Sequence, residues 1–275
     1  MNWFEKIVFF LQGEMQTPTV LGWYHILWLF IVVGTTILMA ILLKNADNRK
    51  IKRFLLITGL IMLILEIYKQ IVYSYDSEVG EWDYQWYAFP FQFCSSPMYI
   101  FIIAGLVKEG KFQEYLYSFL GTFALLSGIL TMLYPETMFI SMIGINIQTM
   151  VHHGALVVAG VVLIVNGACK LKFNTILKAI CVFASLVFVA MLLNCIAIWT
   201  GFVGDETFNM FYISPYFEST LPVFNIIWHK VNYFIFLFLY VFAFSVASFL
   251  ILLVAMGISL ISKKIKQKHI RNIQN

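Results

Sequence analysis

Ten polar side chains lie within or beside the long apolar runs of this chain, and they include a carboxylate, an amine, imidazoles and amides. A charge or amide in hydrocarbon costs several kcal/mol unless it is paired or hydrated, so these residues are functional candidates. They are Glu66, Lys69, Gln92, Asn146, Gln148, His152, His153, Asn194, His229 and Asn232. Nearly all fall toward one side of the predicted membrane, which predicts a polar chamber that opens to that side.

Cys94 is the candidate nucleophile of this set. A thiol becomes nucleophilic when an imidazole takes its proton, and a nearby donor can stabilise the oxyanion that forms. Adjacent helical residues point about 100° apart, so only one of the two neighbouring histidines can face a given cavity. His152 is favoured as the base because Gln148 continues its face, and Gln92 or Asn146 would serve as the donor. A buried Cys can equally be a small hydrophobic residue.

The other polar residues have structural alternatives. Glu66 and Lys69 share one helix face, where they could form either part of a site or a plain ion pair. Asn194 could contact a substrate or simply tie two helices together. A metal site beside the His pair would need further ligands at helical spacing, and only Glu66 and His229 remain. We therefore predict no metal and no other cofactor.

Composition indicates the elements that position these residues. The chain has 275 residues, of which 61% are hydrophobic and 12% charged, which excludes a soluble globular protein. We predict an all-α polytopic membrane protein with a single transmembrane domain over 1–275. A span needs about 20 apolar residues. The seven predicted spans are 21–43, 53–73, 88–107, 115–133, 141–165, 176–199 and 226–258.

Charge predicts the orientation. Fifteen of the 18 basic residues fall in the first, third and fifth connections or in the tail, and cytoplasmic loops retain such residues. The N-terminus is therefore predicted outside and the basic tail, 263–275, inside. Residues 1–15 are apolar but too short for a span, and they predict a helix at the membrane interface. The tail suits anionic lipid headgroups, and no Gly-rich phosphate loop or other feature indicates nucleic-acid binding.

Two segments of the sequence allow more than one structural interpretation. The last apolar run could be split into two spans, but no Pro or polar turn interrupts 231–261, so we predict one long helix. The connection from Gly201 to Phe224 is long enough to cover the chamber as a lid, and it could equally be a plain interfacial loop. The sequence gives no indication of the oligomeric state.

Three stretches carry a family resemblance: Tyr87 to Ser95, His152 to Ala155, and Asn209 to Pro215. They resemble the YwaF-like bacterial integral membrane proteins over essentially the whole chain. That family is similar to a eukaryotic transmembrane acyltransferase that moves acyl chains onto ether phospholipids. The resemblance implies a bacterial plasma membrane protein that transfers or hydrolyses lipid acyl chains, with Cys94 and the His152–His153 pair at its centre.

The implied mechanism brings the ester carbonyl of a phospholipid to the polar layer. Cys94 would attack, a histidine would carry the proton, and the acyl chain would pass to a second lipid or to water. The competing function class is a transporter or sensor, because intramembrane Glu, Lys and His residues also form proton relays and solute sites. A third possibility is a scaffold whose polar groups only specify helix packing.

Overall fold

The computed structural model describes residues 2–76 and 79–274, most of them in helices. The helices are α1 (Trp3–Leu11), α2 (Trp23–Leu43), α3 (Asn48–Ser74), α4 (Pro97–Leu106), α5 (Lys111–Phe119), α6 (Leu125–Leu133), α7 (Ile143–Asn166), α8 (Phe173–Thr200), α9 (Phe224–Ile227) and α10 (Tyr233–Gln274). A small antiparallel hairpin pairs β1 (Tyr75–Asp76) with β2 (Glu81–Trp82). The prediction of an all-α fold is confirmed.

Within the described residues, six helices are long and apolar enough to cross a membrane. They are α2, α3, the continuous α5–α6 unit (Lys111–Leu133), α7, α8 and the first part of α10. Each corresponds to one predicted span. The predicted span 88–107 differs, because its helix covers only Pro97–Leu106 and a 3-10 turn, Trp86–Ala88, precedes it. The last run is one continuous helix, and it begins later than the predicted 226.

Local sequence signals set the helix ends. The Asp47 carboxylate caps α3 by accepting a hydrogen bond from the Lys50 N–H (2.8 Å), as expected for an N-cap aspartate. Helices α7 and α8 both end at a glycine in the left-handed region, Gly167 (φ +85°) and Gly201 (φ +67°). Glycine adopts this conformation without the steric cost that a Cβ brings. The long apolar runs therefore stop where the chain must turn.

The short helix α4 packs closely along the first half of α3. A Cβ at Gly59 would lie 3.0 Å or less from Phe101 and Ile102, and one at Gly105 would lie 2.7 Å from Leu56 Cβ. Small residues let helix backbones approach in membranes, where van der Waals packing is a main source of association. The chain before α4 continues along the second half of α3, since the Gln70 side chain donates to the Ala88 carbonyl (2.8 Å).

The basic connections meet at one end of the bundle. The Asn166 amide at the end of α7 donates to the carbonyls of Leu43 (2.8 Å) and Ala46 (3.0 Å), which connect α2 to α3. At the same end, Glu114 of α5 pairs with Lys170 (2.6 Å) and with Lys178. These contacts join the end of α7 to the α2–α3 connection, and they join α5 to the α7–α8 connection and the start of α8. The side chains of Lys268, His269 and Arg271, at the end of the basic tail, lie outside the described residues.

At the opposite end, the N-terminal helix α1 packs beside the end of α3. The Gln12 side chain donates to the carbonyls of Val72 (2.9 Å) and Tyr75 (2.7 Å). The connection between α8 and α9 also lies at this end, and its central residues Met210, Phe211 and Ile213 are fully buried. It is therefore part of the packed core and not a plain surface loop. Glu78 lies outside the described residues.

Gly105→Ala should destabilise the protein by about 1–3 kcal/mol, the usual cost of overpacking. The added Cβ would meet the Leu56 N and Lys52 O backbone atoms, each at 2.9 Å, which cannot move without shifting α3. The measurement is the apparent melting temperature in detergent.

Gly34→Ala is the matched control, because a Cβ there meets no atom within 4 Å of it among the described residues. Alanine also has the higher helix propensity, so this variant should melt at the wild-type temperature or above it. Equal melting temperatures for the two variants would contradict the close packing of α3 and α4.

Candidate functional site

Cys94 lies in the non-helical stretch between the 3-10 turn and α4. The Gln92 carbonyl accepts hydrogen bonds from the N–H groups of Ser95 (3.0 Å) and Ser96 (2.9 Å), which form a tight turn around Cys94. Pro97 then begins α4, at the position where a missing N–H costs nothing. Ser95 and Ser96 are buried, and Cys94 itself is partly buried. The turn places a thiol inside the bundle at the start of a helix.

The thiol contacts two hydroxyl groups of α6. The Ser127 hydroxyl donates to Cys94 Sγ at 3.1 Å, and Thr131, one turn further along the same face, also interacts with the sulfur. Helix α6 can reach this position because Gly128 packs against α7. A Cβ on Gly128 would lie 2.8 Å from the His153 carbonyl oxygen. The close approach brings the hydroxyls of α6 and the His153 imidazole of α7 to the same sulfur atom.

His153 presents a basic nitrogen beside this thiol. Its Nδ1 lies 2.8 Å from the Thr149 carbonyl oxygen, and a carbonyl can only accept, so Nδ1 carries the hydrogen of the neutral ring. Nε2 therefore holds the lone pair. The ring interacts with the Cys94 sulfur, while Nε2 makes no hydrogen bond of normal geometry with any described residue. This is the tautomer that a base acting on a thiol requires.

His152 has a different contact. Its Nε2 lies 3.0 Å from the backbone carbonyl oxygen of Cys94, so Nε2 donates and holds the turn in place. The two imidazole rings are neighbours, with centroids 5.5 Å apart. The sequence favoured His152 as the base, because Gln148 lies on the same helix face. In the structure, however, His152 contacts the backbone carbonyl of Cys94, and the thiol lies beside His153. Gln148 is buried on the same helix.

Glu66 and Lys69 form a buried ion pair on α3. Lys69 Nζ lies 2.7 Å from Glu66 Oε1, and the two side chains are 17% and 3% exposed. The Gln70 side chain donates to the same oxygen (2.8 Å) and accepts a hydrogen bond from the Tyr84 hydroxyl (2.7 Å). Lys69 also lies within electrostatic range of His152. The pair therefore neighbours the site, next to the segment that carries Cys94.

The amides that the sequence singled out hold irregular backbone in place. Asn194 accepts from the Met210 N–H (2.7 Å) and donates to the Met210 carbonyl (3.0 Å). Asn146 makes the same two contacts with Ile140, at 3.0 and 2.7 Å. Gln92 accepts from the Phe211 N–H (2.7 Å) and donates to the Asn209 carbonyl (3.0 Å). Instead of lining an open chamber, these groups anchor loops, and both Asn side chains are fully buried.

The segment that Gln92 and Asn194 hold contains a strained turn. Phe211 (φ +58°) and Tyr212 (φ +55°) adopt the left-handed region, which side chains disfavour. Such strain costs of order 1–3 kcal/mol per residue and persists only where the surroundings enforce it. The turn positions the Tyr212 hydroxyl within electrostatic range of Cys94. Burial raises the pKa of Tyr212, and charge on Cys94 raises it further, so this phenol stays protonated.

His229 and Asn232 do not lie inside a helix as the sequence predicted. Both come before α10 and their side chains are exposed. The His229 ring packs edge-on against Trp228, with centroids 6.0 Å apart. The expected position in the interior of the seventh span was wrong, because the helix begins at Tyr233 and not at 226. His229, Lys230 and Asn232 interrupt the apolar run at the turn that precedes α10.

Sequence reasoning missed four hydroxyl residues near the thiol: Ser127, Thr131, Tyr212 and Tyr240. The hydroxyls of Ser127 and Thr131 lie four residues apart on a helix, which was the only available signal. In the part of the chain that the structure describes, no three His, Cys, Asp or Glu side chains come together as a metal site would require.

The fold and the site define a polytopic helical membrane protein with a thiol, hydroxyls and an imidazole gathered inside its bundle. The sequence profile of the TMEM164 family matches residues 20–257, so the chain belongs to the TMEM164 family, a family of transmembrane proteins. No curated protein and no solved structure gives a significant match. The expected likeness to YwaF-like proteins and to an ether-phospholipid acyltransferase stays a prediction.

Lys69→Met should destabilise the protein by about 3–5 kcal/mol, the cost of leaving one buried charge of a pair without its partner. Glu66 is 2% exposed and its Oε2 already lacks a hydrogen bond among the described residues. Thermal melting in detergent measures the loss.

The double variant Glu66→Gln with Lys69→Met removes both charges and keeps an oxygen that accepts from Gln70. It should recover most of the lost stability. If Lys69→Met melts like wild type, the pair contributes nothing and the salt bridge is incidental.

Proposed function

We propose that this protein is a membrane-embedded enzyme that transfers or hydrolyses lipid acyl chains through a covalent intermediate on Cys94. The observation behind this proposal is that the Cys94 thiol lies beside both a hydroxyl and an imidazole. Its sulfur accepts a hydrogen bond from Ser127 and lies beside His153, whose Nδ1–H is fixed by Thr149. A nucleophile next to an imidazole that is itself oriented by a third group is the recurring arrangement of covalent catalysis.

In this proposal His153 is the base and His152 is a positioning residue. The lone pair of His153 Nε2 takes the thiol proton, and the same nitrogen later returns it to the leaving or attacking oxygen. His152 holds the Cys94 carbonyl and with it the direction of the thiol. His152 Nδ1 is also buried and has no hydrogen-bond partner in the part of the chain that the structure describes. Both histidines are thus needed, but for different reasons.

The substrate is proposed to be a phospholipid or related lipid whose ester reaches the middle of the bundle. Cys94 is partly buried, so an acyl chain needs only a small opening to reach it. The Glu66–Lys69 pair lies near the site and offers charges of both signs to a polar headgroup. Gln92, Asn146, Gln148 and Asn194 shape the surroundings of the substrate, three of them by anchoring loops. His229 is exposed before α10, and the proposal gives it no contact with the substrate.

We further propose that the chain crosses the membrane seven times, with the N-terminus outside and the basic tail inside. Ala88 contacts α3 near its end, and Gly105 contacts α3 near its beginning. These contacts support a complete membrane crossing by residues 88–105, of which the first half is irregular and the second half is helical. Non-helical backbone is tolerated at membrane depth where protein buries it. The gathered basic connections support a cytoplasmic location for that end, in a bacterial plasma membrane.

Purified protein in lipid–detergent micelles should move a radiolabelled acyl chain from a phospholipid to a lysophospholipid or to water. Cys94→Ala should abolish this turnover, and His153→Gln should lower it by about 10²–10⁴-fold, the usual contribution of a general base. Thin-layer chromatography of the labelled lipids measures both. Cys181→Ala is the matched control, since that thiol is exposed on α8.

Unchanged turnover in Cys94→Ala would remove the nucleophile and with it the proposed function. A transporter or sensor would instead retain its activity in Cys94→Ser and lose solute-driven proton movement in Glu66→Gln, as expected for an intramembrane carboxylate relay. Cys94→Ser and Glu66→Gln therefore distinguish the proposed enzyme from a transporter or sensor.

A further inference from the structure

Attack of a thiolate on an ester places negative charge on the carbonyl oxygen, and a site needs donors aimed at that position. The following inference rests on the proposed function. Gln92 and Asn146, the amides that the sequence offered as donors, already donate to the Asn209 and Ile140 carbonyls. Their oxygens also accept from backbone N–H groups, so both amides are held on connecting segments and cannot turn toward a new oxyanion without releasing them. We therefore consider donors on other residues.

Tyr240 of α10 supplies one candidate. Its side chain is fully buried, and its hydroxyl has no hydrogen-bond partner among the described residues. The ring packs against Phe183 and Phe244, with centroids 6.1 and 4.8 Å apart. Phe93, adjacent to Cys94 in the chain, packs against the same two rings at 5.2 and 5.0 Å. Tyr240 and the Cys94 turn therefore meet around one aromatic pair.

The two phenol groups and the thiol lie within electrostatic range of one another. Tyr212 reaches this position through the strained turn, which Gln92 and Asn194 clamp at Phe211 and Met210. A buried hydroxyl without a partner costs about 1–3 kcal/mol. Tyr240 keeps such a hydroxyl next to a nucleophile, where phenylalanine would fill the same space without that cost.

We propose that the Tyr240 hydroxyl, assisted by the Tyr212 hydroxyl, donates to the oxyanion formed when Cys94 attacks a lipid ester. The S–H proton passes to His153 Nε2, the S–C bond forms, and the carbonyl π electrons move to the oxygen that the phenols hold. The intermediate collapses by breaking the C–O bond, and the leaving alkoxide takes the proton from His153. The acyl thioester is then attacked by a second lipid hydroxyl or by water through the same steps in reverse.

The test uses the intact protein and a p-nitrophenyl ester of a long-chain fatty acid as acyl donor. Release of nitrophenolate and the mass of acylated Cys94 report the attack. Tyr240→Phe should slow both by about 10²–10³-fold, the usual loss for one oxyanion donor, and Tyr212→Phe should slow them as well. Alkylation of Cys94 by a haloacetamide should stay at the wild-type rate, because displacement of halide forms no oxyanion.

Tyr24→Phe is the matched control, because Tyr24 is also buried but packs against Phe139, at 5.9 Å between centroids. It should acylate like wild type, and melting temperatures should show that Tyr240→Phe remains folded. Normal acylation in Tyr240→Phe, with none in Cys94→Ala, would overturn the donor assignment and leave the proposed function standing. Equal slowing of acylation and alkylation would also overturn it, since Tyr240 would then act on the thiol. No acyl adduct on Cys94 in wild type would overturn both proposals.

Discussion

A backbone that leaves the helical path inside a membrane protein must find a hydrogen-bond partner for each exposed carbonyl and N–H. The stretch before α4 does so with polar side chains from three places. Gln70 donates to the carbonyl of residue 88, the Tyr99 hydroxyl to that of residue 90 (3.1 Å), and His152 to that of residue 94. Each donor is a polar residue in a mostly apolar helix, and each fixes one point of the path that ends at Cys94.

The same requirement accounts for most of the intramembrane amides. Asn146, Asn194 and Gln92 each use both ends of the amide on backbone groups of a connecting segment. An amide suits this role because it offers one acceptor and a donor in one plane. In the proposed function, the reactive groups are a smaller set around the thiol, namely the His153 lone pair and several hydroxyls. The proposal thus divides positioning and reactivity between two groups of polar residues.

The sequence predicted the helices well, because a run of about 20 apolar residues has few alternatives to a membrane-crossing helix. It failed where the backbone changes inside a predicted span, as in 88–96 and in 226–232. Polar residues mark both stretches, among them Gln92 in the first and His229 and Asn232 in the second, but they were interpreted as intramembrane site residues and not as signs of a turn. The position of Cys94 among polar residues was visible in advance. The partner of the thiol was not, because a choice between two adjacent histidines depends on helix rotation, which Gln148 alone does not determine.

Small hydroxyl residues were overlooked for a related reason. Ser and Thr occur throughout membrane helices, where they often bond to their own backbone, as Ser118 and Thr122 do here. Only the packing of α6 against α7 distinguishes Ser127 from them. Tyr240 resembled the many aromatic residues of α10. Only the folded bundle shows that its hydroxyl has no hydrogen-bond partner within the described ranges.

The π-helical turn at Leu120–Ala124 has a consequence for comparing relatives of this chain. Such a turn accommodates one residue more than an α-helix would over the same distance. A homologue that lacks one residue there would cover the same distance with a regular helix, and its counterparts of Ser127 and Thr131 would keep the face that meets the sulfur. An inserted residue without a second wide turn would instead rotate both hydroxyls by about 100°. Single-residue gaps in this short window are therefore compatible with an intact hydroxyl pair, whereas insertions there would separate lineages that have lost it.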